Sequence, residues 1–268
     1  MLLQPLIKPL QVISHHAGQA IMQVYQRNDF GIRSKADDSP LTEADLAAHR
    51  VIHKALQQLT PQIPQLSEED ASISFAERSQ WQQYWLIDPL DGTKEFIRRN
   101  DEFTVNIALI ENHRPILGII YLPVNNTFYY GGIGIGAWIR QGSGPAQQIH
   151  CRKLSSSLRV LTSRRHKNDR DLPLLNKLPT HFDSVTTESY GSSLKMCRIA
   201  EGKADFYPRL YPTCEWDTAA AQAIVEAAGG LIIDIDLKPL RYNLKDSLLN
   251  PDFFVIGDPN FPAKLLTG

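Results

Sequence analysis

Trp85-Leu86-Ile87-Asp88-Pro89-Leu90-Asp91-Gly92-Thr93 sets an apolar run directly before two acids, a proline, a glycine and a threonine. The apolar run, which begins at Tyr84, reads as a short strand. Acids at i and i+3 cannot share one face of a strand, where side chains alternate with a period of two. At a strand exit followed by a turn they converge, and Pro89, with its fixed φ and missing N–H, suits such an exit. Hard divalent cations such as Mg2+ take oxygen ligands, usually carboxylates completed by water and substrate phosphate. Asp88, Asp91 and the Leu90 carbonyl between them are therefore candidate ligands. Gly92 allows close backbone approach and Thr93 adds a hydroxyl, so both are candidate phosphate contacts; a helix starting here would add free N–H groups for an anion. An ordinary reading stands beside this one. Asp88 also fits a strand-end turn and Asp91 a helix N-cap, two places where Asp is favoured.

Three further acids matter through their combination with this pair. Glu68 lies in Leu66-Ser67-Glu68-Glu69-Asp70, Asp217 follows Trp216 at the start of a helical pattern, and Asp45 stands three residues after Thr42. Taken singly, they read as a solvated acid, a residue favouring the helix dipole, and the second half of a capping box. Taken together, they are an oxygen-rich ligand set. The Asp-x-x-Asp spacing departs from the Asp-x-Asp of phosphatases that use an aspartyl nucleophile, so a metal-activated water is the expected attacking group.

Outward from this centre, residues 1–27 carry Leu6, Leu10, Ile13, Ala17, Ala20, Ile21 and Val24 at helical spacing, and a second helix is expected over 42–59. Residues 103–110, 116–121 and 127–130 read as strands joined by short links, hence an antiparallel meander. Gly131, Gly132, Gly134 and Gly136 lack the strand–glycine loop–helix setting of a nucleotide loop and read as turns and bulges. In the second half, strands at 159–162, 204–207, 231–235 and 253–256 alternate with helices at 192–201 and 216–228, an α/β pattern. A stretch rich in Gly, Gln and Ser near 141–158 divides the chain into halves at 1–152 and 153–268.

Composition narrows the function classes. The chain has 268 residues with a formal charge of −1, which gives no footprint for a nucleic-acid polymer. Its three cysteines are widely spaced, with no disulfide or zinc pattern, as expected in a reducing compartment. No stretch reaches the roughly 20 apolar residues of a membrane span, and the N-terminus reads as an amphipathic helix rather than a signal peptide.

The nine residues from Trp85 to Thr93 resemble the W-x-(I/D)-D-P-(I/L)-D-G-T signature of the inositol monophosphatase superfamily. Trp216-Asp217-Thr218-Ala219-Ala220 resembles its W-D-x-A-A signature, Leu66-Ser67-Glu68-Glu69 its glutamate segment, and Leu41-Thr42-Glu43-Ala44-Asp45 its T-x-x-D. Within the family the chain looks closer to the bisphosphate nucleotidase branch. Lys94-Glu95-Phe96 stands where inositol phosphatases carry Thr-Asn, and Lys35-Ala36-Asp37-Asp38-Ser39-Pro40, Ser163-Arg164-Arg165-His166, Gly191-Ser192-Ser193-Leu194-Lys195 and Tyr207-Pro208-Arg209 point the same way.

The resemblance implies a layered αβαβα sandwich with its site in a cleft. It implies two or three Mg2+ ions: one on Glu68, Asp88 and the Leu90 carbonyl, a second on Asp88, Asp91 and Asp217, and a looser third near Glu68. Asp45 and Thr93 resemble the pair that orients and deprotonates the attacking water. Capping a helix and accepting from Thr93 are expected to compete for the one Asp45 carboxylate. Ser192, Lys195 and Arg209 match positions that hold a nucleotide's phosphate and adenosine, and His166 one near the base. The implied reaction is hydrolysis of 3′-phosphoadenosine 5′-phosphate to AMP and phosphate, in sulfur assimilation or nucleotide recycling, with the 5′-phosphosulfate as a second substrate and sensitivity to Li+. The alternatives are an inositol-monophosphate phosphatase and, from another class, a non-catalytic metal- or nucleotide-binding protein. The implied location is cytoplasmic, including the cytoplasmic face of the inner membrane.

Overall fold

The computed structural model describes residues 2–34, 40–164 and 170–266. Helix α1 (Ile7–Tyr25) buries Leu10, Ile13, Ala17, Ile21 and Val24, the stripe that a 3.6-residue period places on one face. The short antiparallel strands β1 (Arg33–Ser34) and β2 (Pro40–Leu41) lead to α2 (Glu43–Leu59), which lies against α1. Thr42 caps α2 through a capping box completed by Asp45, as the spacing predicts.

A seven-stranded sheet follows, in spatial order β3 (Gln65–Ser67), β4 (Gln83–Asp91), β5 (Thr104–Glu111), β6 (Arg114–Leu122), β7 (Thr127–Gly132), β8 (Gly136–Gln141) and β9 (Gln147–Ile149). From β4 to β9 it is the expected antiparallel meander; β3 runs parallel to β4. The short helices α3 (Phe75–Arg78) and α4 (Thr93–Ile97) flank β4 in sequence. Trp85, Ile87, Val105, Ile107 and Leu109 join the core shared with α1 and α2, while Leu86, Ala108, Ile110 and Ile120 join the core on the opposite face. Burial on both faces explains why β5 is nearly continuously apolar rather than alternating.

The second sheet has the order β11 (Ser184–Tyr190), β10 (Ser157–Ser163), β12 (Phe206–Arg209), β14 (Phe253–Ile256), β13 (Leu231–Asp234). Its β10 pairs parallel with β11 and β12, and the other pairs are antiparallel. Helix α5 (Leu172–Lys177) lies in the chain between β10 and β11, α6 (Leu194–Ala200) between β11 and β12, and α7 (Glu215–Ala227) between β12 and β13. Apolar residues of α6 and α7 fill the layer between the two sheets, and Leu174 with Phe182, Phe261 and Leu265 covers the outer face of the second. The result is the expected αβαβα sandwich. Strands β3, β8, β9 and β11 and helices α3 and α5 were not expected from local pattern. Each is short or mostly exposed, so its periodicity is weak.

Helix α7 approaches the first sheet closely because its contact face is alanine-rich and β6 carries Gly118 beneath it. A Cβ on Gly118 would sit 2.1 Å from the Ala220 carbonyl oxygen. Gly118→Ala must therefore push α7 off the sheet. The expected loss is about 1–3 kcal/mol of stability, the usual range for overpacking, read as a lower urea midpoint at unchanged slope.

Candidate active site

Asp88 and Asp91 converge at the end of β4, where Asp91 is the last strand residue. Strand β4 runs on through Asp91, and the register passes from Asp88 opposite Asn106 to Asp91 opposite Thr104. Three steps on β4 thus match two on β5, which is a β-bulge. The extra residue converts the i, i+3 spacing into a same-face pair, and Pro89, which has no N–H to offer the ladder, sits inside the irregularity. The turn expected after the strand follows at Gly92, and the bulge adds the convergence of the two acids.

Ligand oxygens of Asp88, Asp91 and Asp217 lie within 4.8 Å of one another. Glu68 follows β3, bonds its N–H to the Ile87 carbonyl beside Asp88, and shares a side-chain hydrogen bond with Asp88. Burial, then the charges of Glu68, Asp91 and Asp217, push Asp88 well above the ordinary carboxylate range. Asp217 is pushed up by burial, Asp91 and Glu68. Burial also raises Asp91, although Lys195 and hydrogen bonds from Ser193 and Asn106 act against it. Buried carboxylates this close call for a cation, and a donor set made only of oxygens suits a hard divalent ion. The Leu90 carbonyl oxygen, between Asp88 and Asp91 in the chain, lies 3.4 Å from Thr93 Oγ1.

Each of the three aspartates is held by a backbone N–H through one oxygen. Leu90 N donates to Asp88 Oδ1 (3.0 Å), Ser193 N to Asp91 Oδ2 (2.5 Å) and Cys214 N to Asp217 Oδ2 (2.8 Å). Asp45 Oδ2 accepts from Thr42 N (2.7 Å), while its Oδ1 accepts from Thr93 Oγ1 (3.2 Å). Capping and pairing with Thr93 therefore do not compete, because the carboxylate divides them between its two oxygens. Likewise, capping α7 and joining the acidic cluster are both properties of Asp217.

Gly92, Ser192, Lys195 and Arg209 line, with Glu68, Asp91 and Asp217, a cleft of about 270 Å³. Gly92, in the left-handed region at φ 93°, precedes α4, which lasts only five residues and so carries little dipole for an anion. Ser192, also left-handed at φ 42°, shapes the turn into α6. Lys195 is buried and donates to the carbonyls of Tyr190 (3.1 Å) and Ser192 (2.7 Å). Burial pushes it down to about 8, with Asp91 pulling the other way. Arg209 is 9% exposed, donates to the Pro212 carbonyl at 3.4 Å, and has a buried Nε with no partner among the described residues. His166 and residues 35–39 lie outside the described residues.

Local reading overlooked Glu102, Asn106 and Ser193. Glu102 accepts from Gly191 N (2.6 Å) and from Arg164 Nη2 (2.6 Å), tying the 191–195 turn to the loop before β5. Asn106 and Ser193 contact Asp91 directly. For Asn106 there was a signal: Thr104 and Asn106 are the polar members of an otherwise apolar strand core.

A model of the inositol monophosphatase family matches residues 2–256. The chain is 50% identical over 244 residues to a 3′(2′),5′-bisphosphate nucleotidase CysQ of Salmonella typhimurium, covering 91% of this chain and 96% of that relative. It is 37% identical over 264 residues to a nucleotidase of the same name from Haemophilus influenzae, covering 96% and 94%. A crystal structure of CysQ from Bacteroides thetaiotaomicron matches with a TM-score of 0.83 at 39% identity, covering 94% of this chain and 98% of that one. The Thermotoga maritima IMPase shares the fold, with a TM-score of 0.76 at 20% identity over 97% and 94%.

The raised carboxylates make a stability prediction for the cation-free protein. A carboxylate whose pKa is higher folded than unfolded destabilises the fold as pH rises above the unfolded value, and the penalty is complete above the folded pKa. Asp88→Asn removes that penalty. In chelator at pH 8 the variant should melt roughly 2–4 °C above wild type, the shift produced by about 1 kcal/mol in a chain of this size. The gap should close as pH falls toward about 4, the ordinary carboxylate range. Added Mg2+ should raise the wild-type melting temperature and leave the variant nearly unmoved.

Proposed function

The chain belongs to the inositol monophosphatase family, and from that membership we propose that it is a Mg2+-dependent 3′(2′),5′-bisphosphate nucleotidase that converts 3′-phosphoadenosine 5′-phosphate to AMP and phosphate. One observation carries the choice of substrate. The cleft lined by Glu68, Asp91 and Asp217 is lined as well by two buried cations, Lys195 and Arg209. A substrate with one phosphate to cleave and a second to keep needs both; an inositol monophosphate needs only the first. The match to nucleotidases over most of both chains supports the same reading.

Glu68, Asp88, Asp91, Asp217 and the Leu90 carbonyl would hold the metal. Bound Mg2+ supplies neutralisation of the phosphoryl oxygens and a lowered pKa for water at the site. The protein's own part is positioning and proton transfer. The Thr93 hydroxyl donates to Asp45, so its lone pairs are available to accept from a water. As that water adds to phosphorus and the ester bond to the 3′-oxygen breaks, Thr93 accepts the water's proton and passes its own to Asp45, while the departing 3′-oxygen takes a proton from solvent water to become the hydroxyl of AMP. Lys195 and Arg209 hold the 5′-phosphate, and Ser192 lines the same turn. Phosphoryl transfer depends chiefly on such positioning and charge neutralisation. The Asp45–Thr93 pair also argues against a purely non-catalytic binding protein, which has no use for a relay beside its acids.

With Mg2+ present, kcat/KM for 3′-phosphoadenosine 5′-phosphate should exceed that for inositol 1-phosphate; the reverse order would overturn the substrate assignment. Asp45→Asn and Thr93→Val should each lower kcat by about 10²–10⁴, the usual worth of positioned proton transfer, with KM little changed. Asp91→Asn should abolish turnover while the protein stays folded by circular dichroism.

A further inference from the structure

Behind Asp91 lies a chain of buried polar side chains that the proposed chemistry does not use. Asp91 Oδ2 accepts from Asn106 Nδ2 at 3.4 Å as well as from Ser193 N. Asn106 Oδ1 accepts from Ser193 Oγ at 2.9 Å. With its proton so placed, Ser193 Oγ accepts from Thr104 Oγ1 at 2.8 Å. The direction is set at the carboxylate end: a carboxylate only accepts, so the Asn106 amide must turn its Nδ2 toward Asp91 and its oxygen toward Ser193. All three side chains are at most 1% exposed. Burying an amide and two hydroxyls costs free energy that well-packed apolar residues would avoid. Thr104 and Asn106 stand opposite Asp91 and Asp88 in the β4–β5 register, at the bulge that brings the two acids together.

We propose that Asn106 is a positioning residue for the metal site. It pins Oδ2 of Asp91 so that Oδ1 is presented to the cluster, and Ser193 and Thr104 hold the Asn106 amide in its one useful orientation. Because Ser193 also belongs to the turn carrying Ser192 and Lys195, the same chain of bonds ties the nucleotide-side turn to a metal ligand. This rests on the reading of the acidic cluster as a Mg2+ site.

The test uses Mg2+ binding to substrate-free protein by calorimetry, alongside the Mg2+ dependence of turnover. Asn106→Ala should weaken Mg2+ binding about ten- to a hundred-fold, the usual cost of losing a group that orients a ligand. Its kcat should recover as Mg2+ is raised, which a merely structural defect would not do. Thr104→Val keeps the shape of the strand and should shift binding in the same direction by less. Should Asn106→Ala fail to fold in chelator, Thr104→Val decides the matter. Wild-type Mg2+ affinity in the folded variants, or a kcat that no Mg2+ concentration restores, overturns the role of Asn106 and leaves the metal site standing. A wild-type protein that takes up no Mg2+ overturns the metal site itself, and this inference with it.

Discussion

Carboxylates of like charge are packed together inside a protein core, and most of the structure around them answers that constraint. Ligand oxygens of Asp88, Asp91 and Asp217 lie within 4.8 Å of one another, with Glu68 bonded to the first. At the low effective dielectric of an interior, such charges repel strongly. Burial raises the pKa of all three aspartates, and the neighbouring acids raise those of Asp88 and Asp217 further. The site is thus built as half of an interaction whose other half is an ion.

The fold resists this repulsion by dividing the work of each carboxylate. One oxygen of each of the three accepts from a backbone N–H, which fixes the side chain to a secondary-structure element. Asp45 follows the same rule, with one oxygen capping α2 and the other facing Thr93. Anchoring through the backbone makes the arrangement rigid, and rigidity is what lets electrostatics act on a reacting phosphate without reorganisation.

The layers bring these anchors to one place. Helix α7 lies between the two sheets, so its first turn can hand Asp217 to acids that belong to β4, while β12 and α6 bring Arg209 and Lys195 to the same cleft. Close approach of α7 depends on Gly118, and the left-handed conformations of Gly92 and Ser192 shape two turns that pack against each other at the cleft. Packing at those points is tied to the cluster, because any shift of α7 moves Asp217 relative to Asp88 and Asp91.

Much of this was legible in the residues. The helical stripe of α1, the capping box at Thr42 and Asp45, the meander, and the candidate acids and Thr93 all follow from periodicity and turn chemistry, which act over a few residues. The bulge at Pro89 was not legible as such, since an i, i+3 pair of acids fits a turn equally well until the register of β5 is known. Nor was the role of Asn106, whose meaning depends on Ser193 arriving from another layer. By itself the sequence determined which donor atoms the protein owns and the local frame of each. Only the tertiary structure brought the acids together and decided which oxygen of Asp91 is tied down. The anchors of Asp88 and Asp217 are backbone groups two and three residues away, but Asp91 depends on the N–H of Ser193, a group every residue but proline carries, so no side-chain pattern could announce it.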